Sequence, residues 1–137
     1  MYRKLWVLLL LTVSCAGCPL WDEISEPAHG EYMRGAELWE TGNPDQAIVH
    51  FDEAIRLDPT LVDAYTGRAA AWYDKQQYDN ALADYDKAIE LYPGDAELHY
   101  GRAEIYRARE EFDLAITDYD AAITLHPQRG VACLDRG

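Results

Sequence analysis

The chain has 137 residues, enough for one domain with a core of its own. Lys and Arg number 12 against 25 Asp and Glu, a formal charge of -13, which repels nucleic-acid phosphates and anionic headgroups and argues against nucleic acid as a partner. Of the three cysteines only Cys133 lies outside the first 18 residues, so no disulfide framework can brace the acidic body, which must hold by packing.

The N-terminus reads as an address. "MYRK" places Arg3 and Lys4 ahead of nine uncharged residues, Leu5 to Val13, and the small-residue stretch "SCAGC" follows. A basic start, a short apolar core and a small-residue cleavage region make a secretory signal. The apolar run falls short of the roughly 20 residues of a membrane-spanning helix. Cysteines directly after small residues resemble the bacterial lipoprotein lipobox, an aliphatic residue and two small residues ahead of an acylated cysteine. The favoured register sets Ala16 and Gly17 before Cys18 and makes residues 1–17 the signal. Cys15 is the alternative, after a shorter signal. Both depart from the pattern at its first position, held by Cys15 in one register and Thr12 in the other. The resemblance implies export and a palmitate-type lipid anchor at a cell or outer membrane, facing the periplasm or exterior. A redox CxxC would need a folded helix N-terminus to lower a thiol pKa, and zinc would need two more ligands nearby; the leader supplies neither. Residues 18–27 read as a short acidic tether.

From Ala28 the chain repeats with a period of 34, as the proline ladder Pro59, Pro93, Pro127 shows. Ala47, Ala81 and Ala115 run in step, as do Ala54, Ala88 and Ala122, then Phe51, Tyr85 and Tyr119, and Asp45, Asp79 and Asp113. Each copy holds two helical patterns. "VDAYTGRAAAWYDK" sets Tyr65, Ala69 and Trp72 on one face, and "DNALADYDKAIEL" sets Ala81, Leu82, Tyr85, Ala88 and Ile89 on one stripe. The second helix stops before the proline, because the residue preceding proline avoids the α region. "TGNPD" predicts a turn with Asn43 as N-cap and Pro44 at the first helical position. The alanines suit close helix–helix approach. No strand alternation appears. The fold class is therefore all-α, a solenoid of antiparallel helix pairs.

This pattern resembles the tetratricopeptide repeat. The match covers residues 28–61, 62–95 and 96–129 as three copies, with Gly35, Ala69 and Ala103 at the eighth position and Leu38, Trp72 and Tyr106 at the eleventh. Glu31 and His99 stand where Tyr65 supplies an aromatic, and Glu31 suggests a frayed or capping first helix. Gln76 and Glu110 replace a turn glycine, which predicts strained turns. Residues 130–137 read as the start of a further repeat helix or a C-terminal stub.

The resemblance implies a groove along the first helices that binds a protein or peptide. Repeat positions two, five, nine and twelve would line it, and the strongest candidates are Tyr32, Trp39, Asp63, Tyr73, Glu97, Tyr100, Glu104 and Arg107. Aromatic faces with acidic edges suit a partner segment carrying basic or aromatic side chains. They have the wrong charge for the acidic chaperone tails that one subtype of the family binds. The paired "DYD" motifs, Asp84/Asp86 and Asp118/Asp120, read as a solvated face, since carboxylates two apart on a helix diverge. No HExxH spacing, nucleophile elbow or phosphate-cradling glycine loop is present, so no catalytic residue, metal ligand or cofactor is assigned. The expected role is a non-catalytic, membrane-tethered interaction scaffold. The alternative is the interaction part of a longer protein with a catalytic or secretion-related domain beyond residue 137.

Overall fold

The computed structural model describes residues 19–127. The signal, both candidate lipidation cysteines Cys15 and Cys18, and the stub at 130–137 lie outside the described residues. Six helices follow in order: α1 (Pro19–Glu40), α2 (Pro44–Leu57), α3 (Val62–Asp74), α4 (Tyr78–Leu91), α5 (Ala96–Ala108) and α6 (Phe112–Leu125). The described residues contain no strand. Each helix packs on its neighbours in sequence, and α1 also touches α3, which places first helices side by side along one face.

Local chemistry sets the boundaries. α2, α4 and α6 end at Leu57, Leu91 and Leu125, two residues before Pro59, Pro93 and Pro127. Within each repeat a three-residue turn closes the pair by one device. The Gln77 N–H donates to Trp72 O at 2.9 Å and the Gln76 N–H to Tyr73 O at 2.8 Å, the paired bonds of a Schellman motif. Asn43 with Gly42, and Glu111 with Glu110, repeat the same two bonds. The central residue must be left-handed: Gly42 has φ +81°, Gln76 +58° and Glu110 +63°. The strain expected of Gln76 and Glu110 is therefore present in the backbone. Asn43 holds the N-cap position and Pro44 the first turn of α2, but the Asn43 side chain makes no cap bond. Its amide donates instead to Thr41 Oγ1 at 3.2 Å.

α1 begins at Pro19, so helix runs through residues expected to form a tether, with Pro27 inside it. A proline withholds one N–H and crowds the carbonyl four residues earlier, which is why a boundary was expected there. Glu31 is not at a frayed end. Its carboxylate lies 2.7 Å from His50 Nδ1 on α2 and pairs with Arg34, and the His50 bond holds it below the usual carboxylate range.

The alanine ladders form the seams. Ala47, Ala54, Ala69, Ala81, Ala88 and Ala103 are wholly buried, and Ala115 nearly so. Phe51 is the one large side chain among the described residues that is fully buried. It sits between Gly35 and Gly67, where an added Cβ would come within 2.8 Å and 2.7 Å of its ring. Tyr85 takes the same place one repeat on, beneath Gly101. Glycine at the sixth position of the second and third copies is thus a packing requirement: the aromatic of the preceding repeat occupies the space of its side chain.

Candidate functional site

A charged lattice fixes the first helices α3 and α5 against the second helices of their own and the preceding repeat. Arg68 on α3 grips Asp84 of α4 with two bonds, Nε to Oδ2 at 2.9 Å and Nη2 to Oδ1 at 2.5 Å, and reaches back to Asp52 of α2 with Nη1 at 2.5 Å. Arg102 on α5 repeats this one period later, with Asp118 at 2.7 and 2.8 Å and Asp86 at 2.6 Å. In each "DYD" motif the first carboxylate therefore pairs within its own repeat. Asp86, the second carboxylate of the first motif, pairs with the arginine of the next. Asp84 and Asp118 are only 4% exposed, which overturns the solvated-face expectation for these two. The divergence of residues two apart on a helix, which argued against a shared metal, is what lets Asp84 and Asp86 serve different arginines. No group of three or more His, Cys, Asp or Glu that could hold a metal occurs among the described residues.

The two buried carboxyls differ electrostatically. Burial pushes Asp84 up and outweighs the pull of Arg68, with Asp52 nearby adding to the rise. Burial also acts on Asp118, but bonds from Arg102 and His99 hold it below the usual carboxylate range. Both arginines are pushed further up, Arg102 chiefly by its bond to Asp118. A second ladder of pairs ties the ends of first helices to the preceding repeat: Lys75 to Asp45, and Arg109 to Asp79 at 2.5 Å. The Asp45, Asp79, Asp113 ladder owes two of its three members to these bonds.

The predicted groove residues divide into two groups. Trp39 donates its indole N–H to Asp74 at 2.6 Å and packs with Ala47, Ile48 and Phe51, so it is built into the seam. Tyr73 is partly exposed and its ring lies 5.6 Å from Tyr78. Glu104 accepts from the Tyr119 hydroxyl and pairs with Arg107, and burial with this bond raises Tyr119 to about 12. Tyr73, Glu104 and Arg107 are thus occupied within their own repeats, and Trp39 is tied to the next one. Tyr32 rests on Phe51 with ring centroids 6.0 Å apart; burial raises its phenol, and the Asp63 charge adds to the effect, which places α1 and α3 electrostatically in one surface.

Asp63, Glu97 and Tyr100 come together. They line an open recess of about 460 Å³ between α3 and α5, floored by Tyr85 of α4 and walled by Val62 and Leu98. Asp95 stands at its edge, where its Oδ1 caps α5 by accepting the Glu97 N–H at 2.9 Å. Thr66 and Gly101 complete the lining. Neither Tyr85 nor Thr66 was among the strongest sequence candidates; the alternation of Tyr32, Thr66 and Tyr100 at one repeat position was the available signal.

The tetratricopeptide repeat profile matches residues 32–96 and again 73–130. The chain belongs to the tetratricopeptide repeat family. Solved members share its fold. The first such domain of Spaghetti (RPAP3), bound to HSP90 peptide SRMEEVD, superposes with a TM-score of 0.72 at 23% identity, covering 75% of this chain and 82% of that one. The Arabidopsis OM64 repeat domain gives 0.72 at 22%, over 77% and 87%. MamA gives 0.72 at 20% over 78% of this chain, which spans only 62% of MamA. No curated protein sequence matches. At these identities the likeness establishes the fold, an α-helical solenoid of repeats.

Proposed function

We propose that this chain is a non-catalytic adaptor that holds an extended segment of a partner protein against the first-helix face formed by α1, α3 and α5. The recess at Asp63, Glu97 and Tyr100 carries the reading, because it combines partly exposed aromatic surface with carboxylates on adjacent repeats. Exposed aromatics supply binding energy and carboxylates select the sign of the partner. A Spaghetti domain of this fold is bound to the peptide SRMEEVD, rich in carboxylates; Asp63 and Glu97 would repel such a ligand, so the partner segment here is basic or aromatic.

The signal-like leader and its cysteines support tethering to a bacterial envelope membrane through lipid on Cys18, with Cys15 as the alternative. A photo-crosslinking residue placed at Tyr100 in cells, followed by mass spectrometry, tests the adaptor reading. The expected product is a discrete partner protein crosslinked through a basic or aromatic segment. Crosslinks only to the chain itself, or to uniformly acidic segments, would overturn it. Palmitate labelling lost in Cys18→Ala and kept in Cys15→Ala is the expected result for the anchor.

A second reading is favoured by α6, which exposes Phe112, Ile116 and Ile123 along one face. That face suits continuation into a larger protein in which these repeats are the interaction part.

A further inference from the structure

The three second helices carry one apolar stripe, and only two of its copies are covered. On α6 the stripe runs through Phe112, Ile116, Tyr119 and Ile123, which fall on one face of the helix. Its counterparts Ile48 and Leu82 are buried in clusters with Ala71 of α3 and Ile105 of α5, whereas Ile116 is exposed.

Two carboxylates flank the stripe, and on α2 and α4 both are held from the following repeat. Asp52 is held by Arg68 at 2.5 Å and Asp86 by Arg102 at 2.6 Å. Asp45 is held by Lys75, and Asp79 by Arg109 at 2.5 Å. The basic residues stand at the seventh and fourteenth positions of that following repeat. On α6 the same two carboxylates are Asp120 and Asp113, and neither side chain has a partner among the described residues. α6 itself carries no Lys or Arg.

An amphipathic helix with two basic residues seven apart completes both patterns. That spacing sets the two bases on one side of a helix, as it sets Asp113 and Asp120 on one side of α6. An apolar residue three after the first base, as Ala71 and Ile105 follow Arg68 and Arg102, covers the place of Ile116. Glycine directly before that base, as Gly67 and Gly101, leaves room for the aromatic ring beneath. The carboxylates fix the sign and register of the occupant.

Other occupants fit less well. A second copy offers Arg34 of α1, but Met33 stands in the glycine's place and Thr41 in that of the second base. Two α6 stripes packed antiparallel would set the Asp113 and Asp120 carboxylates of both copies along one edge, which like charge opposes. Residues 130–137 offer Arg136 in register, but Asp135 where glycine is needed.

We propose that the open face of α6 is a second docking surface, for an amphipathic helix of a partner protein that seats basic residues seven apart on Asp120 and Asp113. It goes beyond the first-helix adaptor reading and shares no residue with the recess at Asp63, Glu97 and Tyr100.

The test uses the full chain and a fluorescein-labelled peptide with the sequence of residues 96–109, AELHYGRAEIYRAR, which holds the pattern at Gly101, Arg102, Ile105 and Arg109. Fluorescence anisotropy should show saturable binding, and the peptide with Arg102→Gln and Arg109→Gln should bind about tenfold more weakly. In the chain, Asp113→Asn with Asp120→Asn should weaken the native peptide by a similar factor, and Ile116→Asp should abolish binding with the melting curve kept. Asp113→Arg with Asp120→Arg should lose the native peptide and take one carrying Arg102→Glu and Arg109→Glu. No saturable binding, equal binding of the native and glutamine peptides, or binding unaltered in folded Ile116→Asp overturns the proposal. Tighter peptide binding in Arg136→Ala would assign the face to the chain's own residues, and self-association abolished by Ile116→Asp would assign it to a second copy; either overturns it. Peptide binding at α6 with no partner crosslinked from Tyr100 sinks the adaptor reading alone.

Discussion

Gly67 and Phe51 are in reciprocal contact: a methyl group on Gly67 would lie 2.7 Å from Cε1 of the Phe51 ring. The ring cannot retreat, because Gly35 presses it from α1 at a comparable distance and no part of it reaches solvent. Gly67→Ala should therefore destabilise the chain by about 1–3 kcal/mol through overpacking, although alanine is the better helix former. Phe51→Leu in the Gly67→Ala background should recover part of that loss. Urea unfolding of the two variants checks the pair; an alanine at 67 that stabilises would refute the contact.

Gln76 and Glu110 occupy the left-handed residue of their turns, at φ +58° and +63°, where the first copy has Gly42. A side chain there crowds its own carbonyl, and glycine does not. Gln76→Gly and Glu110→Gly should each stabilise by about 0.5–1 kcal/mol, with the gain reduced by the greater freedom of glycine in the unfolded chain. The effects should add, since the two turns lie in different repeats and share no partner. Thermal melts of the single and double variants decide this, and a loss of stability would count against the turn geometry.

Asp118 is held below the ordinary carboxylate range by Arg102 and His99 in spite of its burial. A folded carboxyl that binds protons less readily than the unfolded one contributes stability above the unfolded pKa, near 4, and loses that contribution as pH falls through the lower folded value. Asp84 has the opposite sign: burial raises it, so its contribution is fully present below the unfolded pKa and fades as pH rises through the folded one. Asp118→Asn should thus cost about 1–3 kcal/mol at neutral pH by leaving Arg102 with Asp86 alone, and should flatten the acid side of the stability profile. Asp84→Asn should steepen it. Denaturant midpoints from pH 7 down to about 3 separate the two. Identical profiles would mean that the two sites do not differ.

The repeat period, the helix ends and the alanine seams were legible because each depends on residue type at fixed spacing. The proline ladder marks Leu57, Leu91 and Leu125 as last helical residues, and the turn strain followed from Gln76 and Glu110 standing in a glycine's place. The Asp84–Arg68 clamp was not legible, since spacing on one helix says nothing of which neighbour lies opposite. Charge alone made Asp84 and Asp118 look like surface. Family positions brought Asp63, Glu97 and Tyr100 to notice together. They did not reveal that Trp39 spends its N–H on Asp74, or that Thr66 leaves Tyr85 uncovered; those depend on side chains from different helices.

Ala88 is fully buried where α4 meets its neighbours, beside Tyr65 and Leu98. Ala88→Leu should cost about 1–3 kcal/mol, because the extra carbons have no space between helices held at alanine distance. Ala83, exposed one turn away on the same helix, is the control, and Ala83→Leu should change stability by less than about 0.5 kcal/mol. A melting temperature unaffected by Ala88→Leu would refute the close-packed seam.

One repeat position compares all three second helices directly. Ile48 and Leu82 are 6% and 9% exposed, covered by the helix that follows, whereas Ile116 on α6 is 56% exposed. The hydrophobic contribution scales with the apolar area removed from water, so equal truncations should have unequal costs. Ile48→Ala and Leu82→Ala should each destabilise by about 2–4 kcal/mol, and Ile116→Ala by less than about 1 kcal/mol. Measured in the full chain by urea unfolding, the three values grade how far each second helix is covered in solution. A cost at Ile116 as large as at Leu82 would contradict the open face of α6 and, with it, the observation that favours continuation of the repeats.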